Sequence, residues 1–223
     1  MKNATQLCKG NSTTNRLAKI AAFLNRRKEQ KPMTVQLIKG GRFNLSQEVP
    51  NLKKLAIALG WQANLAGKNC EIDASAFMLG TDGRIPHEDY LVFYNNTKSL
   101  DGSVRQSATD NYSPRKGYIN TLYGVDLSKM DAAIEQIVLI VTIHDAESVG
   151  MNFSKISNAF ISLYDSQTKV ELTRYELKEN FTVETALEFG RLYKKSGDWR
   201  FQAVGQGYKS GLRSFVEKYY VEK

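Results

Sequence analysis

The chain has 223 residues and a formal net charge of +8 at pH 7, and 42% of its residues are apolar and 24% charged. This composition is typical of a folded globular protein and excludes disordered, collagen-like and coiled-coil chains. Two cysteines, Cys8 and Cys70, are too few for a disulfide framework, so we expect a reducing compartment, the cytoplasm. No uninterrupted apolar run is longer than residues 137–141, far short of the roughly 18–20 residues of a membrane-spanning helix.

Most of the positive charge lies in the first 32 residues. They contain eight Lys/Arg side chains and one acidic residue, Glu29, whereas the following 191 residues carry 23 basic and 22 acidic side chains. The charge argument for an anionic partner, membrane lipid or nucleic acid, therefore applies to this basic extension only.

Part of the basic extension has a helical pattern. Its apolar residues at helical spacing are Leu17, Ile20, Ala21 and Leu24. One interpretation is a basic amphipathic helix that docks on an anionic surface, which would make the protein peripherally membrane-associated. The alternative is a solvated extension, or residues that precede a true start at Met33. Pro32 marks the boundary between residues 1–32 and a body of residues 33–223.

The body begins with strand patterns. Residues 35–38 and 43–45 flank a Lys-Gly-Gly turn and predict a β-hairpin. Residues 55–59 predict a compact apolar strand, residues 72–79 alternate as a strand does, and residues 90–94 predict another strand.

The second half of the body continues this pattern. Residues 137–143 are β-branched and apolar on both faces, which predicts a central strand. Two hairpins are predicted, from residues 159–164 with 170–177 and from residues 186–193 with 199–204. Leu212, Phe215, Val216 and Tyr219 have helical spacing, so a short helix closes the chain. Many short strands without strand–helix alternation predict an all-β fold, a β-sandwich.

Patterns for catalysis are weak. The chain contains neither a G-x-S-x-G elbow nor a Walker A loop. His144 and Asp145 are adjacent, and adjacent residues of a strand point to opposite faces, so we interpret them as strand-end packing or capping. Cys70 has no activating base nearby in sequence. Residues 205–210 approach a dinucleotide fingerprint but too little chain follows for the acidic ribose partner, so we interpret their glycines as a turn.

Oxygen-bearing side chains cluster at predicted strand ends. They are Glu71, Asp73, Asp89, Asn95, Asn96, Asp110 and Asn111. Calcium takes about six to eight oxygen ligands of this kind, which loops at one end of a sandwich can supply. Asn and Asp are also standard turn residues, and from composition alone the turn interpretation is favoured over a calcium site.

Several blocks of sequence resemble the TerD domain of tellurium-resistance proteins. They occur in the order of that family, at residues 33–41, 44–46, 60–61, 72–77, 93–96, 101–104, 141–147, 157–161 and 203–208. The resemblance implies a cytosolic bacterial β-sandwich that binds calcium through acidic loops and acts in tellurite and wider stress resistance. It also implies assemblies of family members with one another and with a membrane-associated partner, no small-molecule substrate and no enzymatic activity.

The metal ligands of the family are carried over only in part. Glu71 and Asp73 match the family's first two carboxylates, and Asn95 and Asn96 match its Asn-Asn pair. Residues 109–114 lack both glycines of the family motif, and residues 115–121, where the family has a dense acidic run, contain no carboxylate. The candidate ligands are therefore Asp73, Glu71, Asp89, Asn95, Asn96, Asp110, Asn111 and Asn120. Because calcium affinity depends on ligand charge, we expect at most one weakened calcium site.

The altered loop also contains aromatic residues. Tyr112, Tyr118 and Tyr123 are less easily buried than the aromatics of the apolar strands. With Arg115, Tyr112 and Tyr118 form a candidate partner-binding patch. The sequence thus favours a calcium-binding or formerly calcium-binding stress-response module that acts through protein association. The alternative is an adaptor that docks on an anionic membrane surface or nucleic acid through residues 1–32, and an enzyme is disfavoured.

Overall fold

Twelve strands dominate the computed structural model, which describes residues 34–63, 71–107 and 119–220. The strands are β1 Val35–Leu37, β2 Arg42–Asn44, β3 Lys54–Ala63, β4 Ile72–Leu79, β5 Leu91–Val92, β6 Val104–Ser107, β7 Thr121–Asp126, β8 Gln136–Ile143, β9 Ile156–Asp165, β10 Glu171–Glu176, β11 Ala186–Lys195 and β12 Asp198–Tyr208. The α-helices are α1 Leu45–Glu48, α2 Ala146–Val149 and α3 Leu212–Tyr219, and Glu88–Tyr90 and Phe153–Lys155 form 3-10 helices.

The strands form two six-stranded sheets. Sheet A has the order β1-β10-β9-β3-β7-β6, and sheet B has the order β2-β12-β11-β8-β4-β5. Neighbouring strands are antiparallel except for β1 and β10, which are parallel. The all-β sandwich with a short C-terminal helix is therefore confirmed. No helix in the part of the chain that the structure describes is long and apolar enough to cross a membrane.

The core lies between the sheets, and β8 is a central strand of sheet B, as predicted. It lies between β11 and β4, and its residues from Ile137 to Ile143 are buried. The strand is apolar on both faces because one face packs on sheet A and the other lies on the side of α3. The Phe77 ring of β4 lies 5.2 Å from the Tyr219 ring and 6.5 Å from the Phe215 ring, both on α3.

The hairpin predicted from residues 35–45 is wrong. Val35 pairs with Thr173 of β10 in sheet A, whereas Phe43 pairs with Phe201 of β12 in sheet B. The turn between β1 and β2 therefore carries the chain from one sheet to the other, and Gly40 in it has a φ of +78°. Apolar alternation identifies a strand, but it does not specify which strand will pair with it.

The two later hairpins are confirmed, because β9 pairs with β10 and β11 with β12. The strand predicted at residues 90–94 is shorter in the structure. Tyr90 ends a 3-10 helix that the His87 side chain caps, only Leu91–Val92 pair with β4, and Phe93 and Asn96 close a turn. The pattern of residues 104–107 and 121–126 was too short and too polar to predict β6 and β7. The predicted amphipathic helix lies outside the described residues.

Candidate functional site

Two carboxylates lie at the start of β4. Asp73 is opposite Thr142 of β8, and Glu71 precedes the strand by one residue, so the two side chains leave the same side of the sheet. The backbone N–H of His144 donates to the Glu71 carbonyl at 2.9 Å, which holds this end of β4 against the end of β8. The sequence prediction that Glu71 and Asp73 act together is thus consistent with their placement.

The electrostatics of this carboxylate pair favour a cation. Burial raises the pKa of Asp73, the negative charge of Glu71 raises it further, and His144 acts in the opposite direction. Ionised Asp73 therefore has a higher free energy in the folded protein than in water. A cation bound between the two carboxylates would relieve both the desolvation and the repulsion.

Asn120, another candidate ligand in the described part of the chain, forms hydrogen bonds with the backbone of β3. Its side-chain oxygen accepts a hydrogen bond from the Trp61 N–H at 2.7 Å, and its own N–H donates to the Leu59 carbonyl at 2.9 Å. It thereby joins β3 to the start of β7. An amide oxygen that accepts one N–H retains a second lone pair, so this role does not exclude metal ligation.

Tyr123 lies within the electrostatic field of Asp73. It is fully buried, which corrects the expectation that it is less easily buried than the strand aromatics. Burial, followed by the charge of Asp73, raises the pKa of its hydroxyl far above the usual value. Among the described residues, the hydroxyl has no hydrogen-bond partner. Tyr123 points inward because Thr121, Tyr123 and Val125 alternate on the core side of β7, a pattern of period two that the surrounding polar sequence obscures.

Asp89 and Asn96 maintain the turn after β5. The Asn96 amide donates to the Leu91 carbonyl at 2.8 Å and to the Asp89 carbonyl at 3.4 Å, while the Asp89 carboxylate faces His87 at 3.6 Å. Leu91 is opposite Phe77, four residues along β4 from Asp73, a distance of ~13 Å at the rise of a strand. Asn95 is exposed at the tip of the turn. The structure thus uses Asp89 and Asn96 locally and does not place Asp89 beside Asp73.

The other candidate residues lie outside the described residues: Asp110, Asn111, Tyr112, Arg115 and Tyr118. Within residues 34–63, 71–107 and 119–220, no three His, Cys, Asp or Glu side chains are grouped as a metal site would require. The described part of the chain therefore supplies the Glu71–Asp73 pair as its metal-binding candidate.

His144 and Asp145 contact each other at the surface. The His144 Nε2 lies 3.3 Å from the Asp145 Oδ2, with 60% and 70% of the side chains exposed. Asp145 has a φ of +47° and immediately precedes α2. The strand ends at Ile143, so this pair belongs to a turn.

The glycines of residues 205–210 have a packing role. Gly205 and Gly207 lie within β12, so the turn predicted for them is wrong. A Cβ at Gly205 would lie 2.1 Å from the Tyr175 hydroxyl, and a Cβ at Gly207 would lie 2.7 Å from the Phe181 ring. Close side-chain approach from sheet A and from the 177–185 segment explains both glycines without a nucleotide.

Comparison with known proteins agrees with this architecture. The family model described as TerD domain matches residues 33–219. The chain is 38% identical to tellurium resistance protein TerD of Serratia marcescens and 37% identical to general stress protein 16U of Bacillus subtilis, each over 84% of this chain and 97% of the relative. The crystal structure of a TerD homologue from Streptomyces coelicolor matches 74% of this chain and 96% of its own with a TM-score of 0.56 at 20% identity. The chain belongs to the TerD family.

Proposed function

We propose that this protein is a non-enzymatic stress-response module that protects cells against tellurite and related chemical stress by associating with other proteins. Family membership supports this proposal, since relatives that match over most of their length are named for tellurium resistance and general stress. The structural observation that supports it is the Glu71–Asp73 pair at the start of β4, where burial and the charge of Glu71 both raise the pKa of Asp73 and a bound cation would offset that repulsion.

The donor set fits calcium of low affinity. Carboxylate oxygens are ligands that calcium prefers, and Asp73 and Glu71 supply them at one strand end. A high-affinity site takes about six to eight oxygens and gains from each added negative charge. The described residues offer two carboxylates at this strand end, since Asn120 is bonded to the backbone of β3 in the other sheet. We therefore infer one weakened calcium site, at which the ion would bring the two repelling carboxylates together.

Survival under stress tests the role in resistance. A strain that lacks the gene is complemented with the wild-type protein, Asp73→Asn or Glu48→Gln, and exposed to tellurite and to a DNA-alkylating agent. Glu48 is exposed on α1, so its substitution removes one negative charge away from the rim. We expect wild type and Glu48→Gln to restore survival and Asp73→Asn to restore less. Equal survival with and without the wild-type gene would contradict the proposal.

Calorimetric titration tests the metal. We expect the full chain to bind one calcium ion weakly, and Asp73→Asn to lose the binding heat that Glu48→Gln retains. A tight two-site isotherm would refute the weakened site.

The charge of residues 1–32 favours a second candidate function, an adaptor for anionic surfaces. Eight basic residues and one acidic residue give this extension a charge of +7. Binding to anionic vesicles or nucleic acid through it falls steeply with added salt and is lost when residues 1–32 are deleted. Binding that persists in the deleted protein would exclude this candidate.

A further inference from the structure

Three arginines share the outer face of sheet B on strands β2, β12 and β11. In the sheet register, Arg42 is opposite Gln202, and Gln202 is opposite Arg191. In the next row on the same face, Asn44 is opposite Arg200, and Arg200 is opposite Tyr193. We call Arg42, Arg191, Arg200, Gln202 and Tyr193 the arginine face.

The arginine face points away from the core. Phe43 and Phe201 alternate with its residues along β2 and β12 and are buried between the sheets, so Arg42 and Arg200 leave the opposite side. Helix α3 covers another part of this side of sheet B, where its Phe215 contacts Phe77 and Tyr208. Strand β2 is the outermost strand of the sheet, so the face continues to an open edge.

The three arginines lie close together. Neighbouring strands are ~4.8 Å apart, so Arg42 and Arg191 are separated by ~10 Å across β12. Arg200 is diagonal to both of them, and such neighbours on one face are about 7–8 Å apart. Guanidinium groups at this spacing can contact the same small group of acceptors on a partner.

The arginines differ in their partners. Arg191 is ion-paired with the buried Glu188, and Arg200 lies 3.6 Å from Asp198. Arg42 is exposed, and among the described residues no carboxylate lies within ion-pair distance of it. The Nε atoms of Arg191 and Arg200 are buried and have no hydrogen-bond partner within the described part of the chain. With respect to the described residues, the face therefore presents the unpaired guanidinium of Arg42 beside the ion-paired guanidinium groups of Arg191 and Arg200.

We infer that the arginine face is a protein-binding surface that receives an acidic segment of a partner protein, with Arg42 as the anchoring residue. The inference rests on the proposed function of protein association and names the chemistry of the partner. An arginine forms two parallel hydrogen bonds with a carboxylate, a geometry that gives specificity as well as affinity. Arginine and tyrosine are also enriched at protein interfaces, whereas lysine is depleted there.

The magnitude of the charge favours a protein over a nucleic acid. Glu188 and Asp198 offset two of the three arginines, so the face has a net charge of about +1. Nucleic-acid binding depends mainly on Lys and Arg side chains that neutralise several phosphates, and a net charge of about +1 does not supply them. One or two carboxylates on a folded partner match the single free guanidinium.

Fluorescence anisotropy of a labelled 12-residue glutamate-rich peptide tests the inference on the full chain. The variants are Arg42→Glu and Arg84→Glu, because Arg84 is exposed on the 80–85 loop and its reversal changes the net charge equally. Residues 1–32 are the same in both variants, so their contribution cancels. We expect Arg42→Glu to weaken binding about tenfold and Arg84→Glu less than twofold. Arg42→Gln removes the positive charge without adding a negative one, so its loss of binding is expected to lie between those of the other two variants. It also covers the case in which Arg42→Glu does not fold.

Other outcomes overturn the inference. An equal loss in both variants would assign the binding to overall charge or to the basic extension. A loss at Arg42 that is larger for a single-stranded oligonucleotide than for the peptide would assign the face to nucleic acid. The survival assay separates this inference from the proposed function. If Arg42→Glu restores survival fully, the inference that the arginine face binds a partner is overturned and the proposed function is not. If the wild-type gene fails to restore survival, the proposed function itself is overturned.

Discussion

The Tyr175 hydroxyl on β10 occupies the space in which a side chain at Gly205 on β12 would begin. A Cβ at Gly205 would lie 2.1 Å from the Tyr175 oxygen, and Gly205 has a φ of +60°. The phenol thus reaches from sheet A to the backbone of sheet B, where its hydroxyl donates to Glu179 at 2.8 Å. This contact explains the glycine of a motif that resembles a dinucleotide fingerprint.

We predict that Gly205→Ala destabilises the protein by about 2–4 kcal/mol, because the new Cβ collides with Tyr175 and the residue has an unfavourable φ. Urea denaturation measures the change. Gly124→Ala is the matched control, since nothing lies within 4 Å of a Cβ there. A similar loss in both variants would mean that the Tyr175 contact is not the cause.

We predict that Asp73 lowers stability as the pH rises. Its pKa is raised in the folded protein by burial and by Glu71, so the folded state holds the proton more tightly than the unfolded state does. The free energy of unfolding therefore falls as the pH rises from the unfolded pKa of 3.8 through the folded pKa, and it stays lower above that range.

Asp73→Asn removes this pH dependence and, without calcium, is expected to be at least as stable as wild type at neutral pH. Denaturation at a series of pH values, with Glu48→Gln as control, measures the difference. Added calcium is expected to stabilise wild type and Glu48→Gln but not Asp73→Asn. A wild-type pH profile that Asp73→Asn reproduces would show that another group titrates.

The effect of Asp101 on stability depends on pH in the opposite direction to that of Asp73. Burial alone would raise its pKa, but hydrogen bonds from Ser99, from the Asp131 N–H and from Ser103 outweigh burial and lower it. Its contribution to stability is therefore complete above the unfolded pKa of 3.8 and is lost as the pH falls through the folded pKa.

We predict that Asp101→Ala costs about 1–2 kcal/mol at neutral pH, after solvent screening of this partly exposed carboxylate is taken into account. The loss should shrink as the pH is lowered below the unfolded value. Guanidinium denaturation at neutral and at acidic pH measures the change in the free energy of unfolding at each pH. A change that does not depend on pH would mean that Asp101 stabilises the protein through packing.

Helix α3 depends on its aromatic face. The Phe215 ring packs at 5.0 Å from Tyr208 and at 6.5 Å from Phe77 and is 2% exposed. We predict that Phe215→Ala costs about 3–5 kcal/mol and exposes the α3 amides to hydrogen exchange. Arg213→Ala, at an exposed position of the same helix, should leave exchange unchanged. Equal protection in both variants would show that α3 is held by other contacts.

The strands with the strongest patterns could be predicted from sequence. Residues 137–143 are apolar without interruption because β8 is covered on both faces, and turn residues between apolar segments identified the two late hairpins. The partner of β1 could not be predicted, since Val35 pairs with a residue 138 positions away and a three-residue strand carries no information about that distance. Short local patterns favoured a hairpin that the tertiary structure does not form.

The candidate site was predictable only in part. The sequence singled out Glu71 and Asp73 as candidate ligands at a strand end, and the structure shows that they lie on one side of the strand at the start of β4, whereas their binding of a metal stays a prediction. Asp89 and Asn96 have the same residue types, but their hydrogen bonds close a turn, and composition does not distinguish a turn residue from a ligand. Tyr123 faces the core because it alternates with Leu122 and Gly124 along β7, a short strand that the sequence did not predict.

The placement of β1 and β2 in different sheets has a consequence for the order of folding. This segment is synthesised early, yet β1 adds to β10 and β2 adds to β12, strands that are made near the end of the chain. Closing such long loops is entropically costly before other contacts compensate. We therefore expect the pairing of β1 with β10 and of β2 with β12 to form after the β9–β10 and β11–β12 hairpins. Among the strands of the described residues, we therefore expect β1 and β2 to be the last to reach their native positions, and the edges of β10 and β12 to stay open until they do.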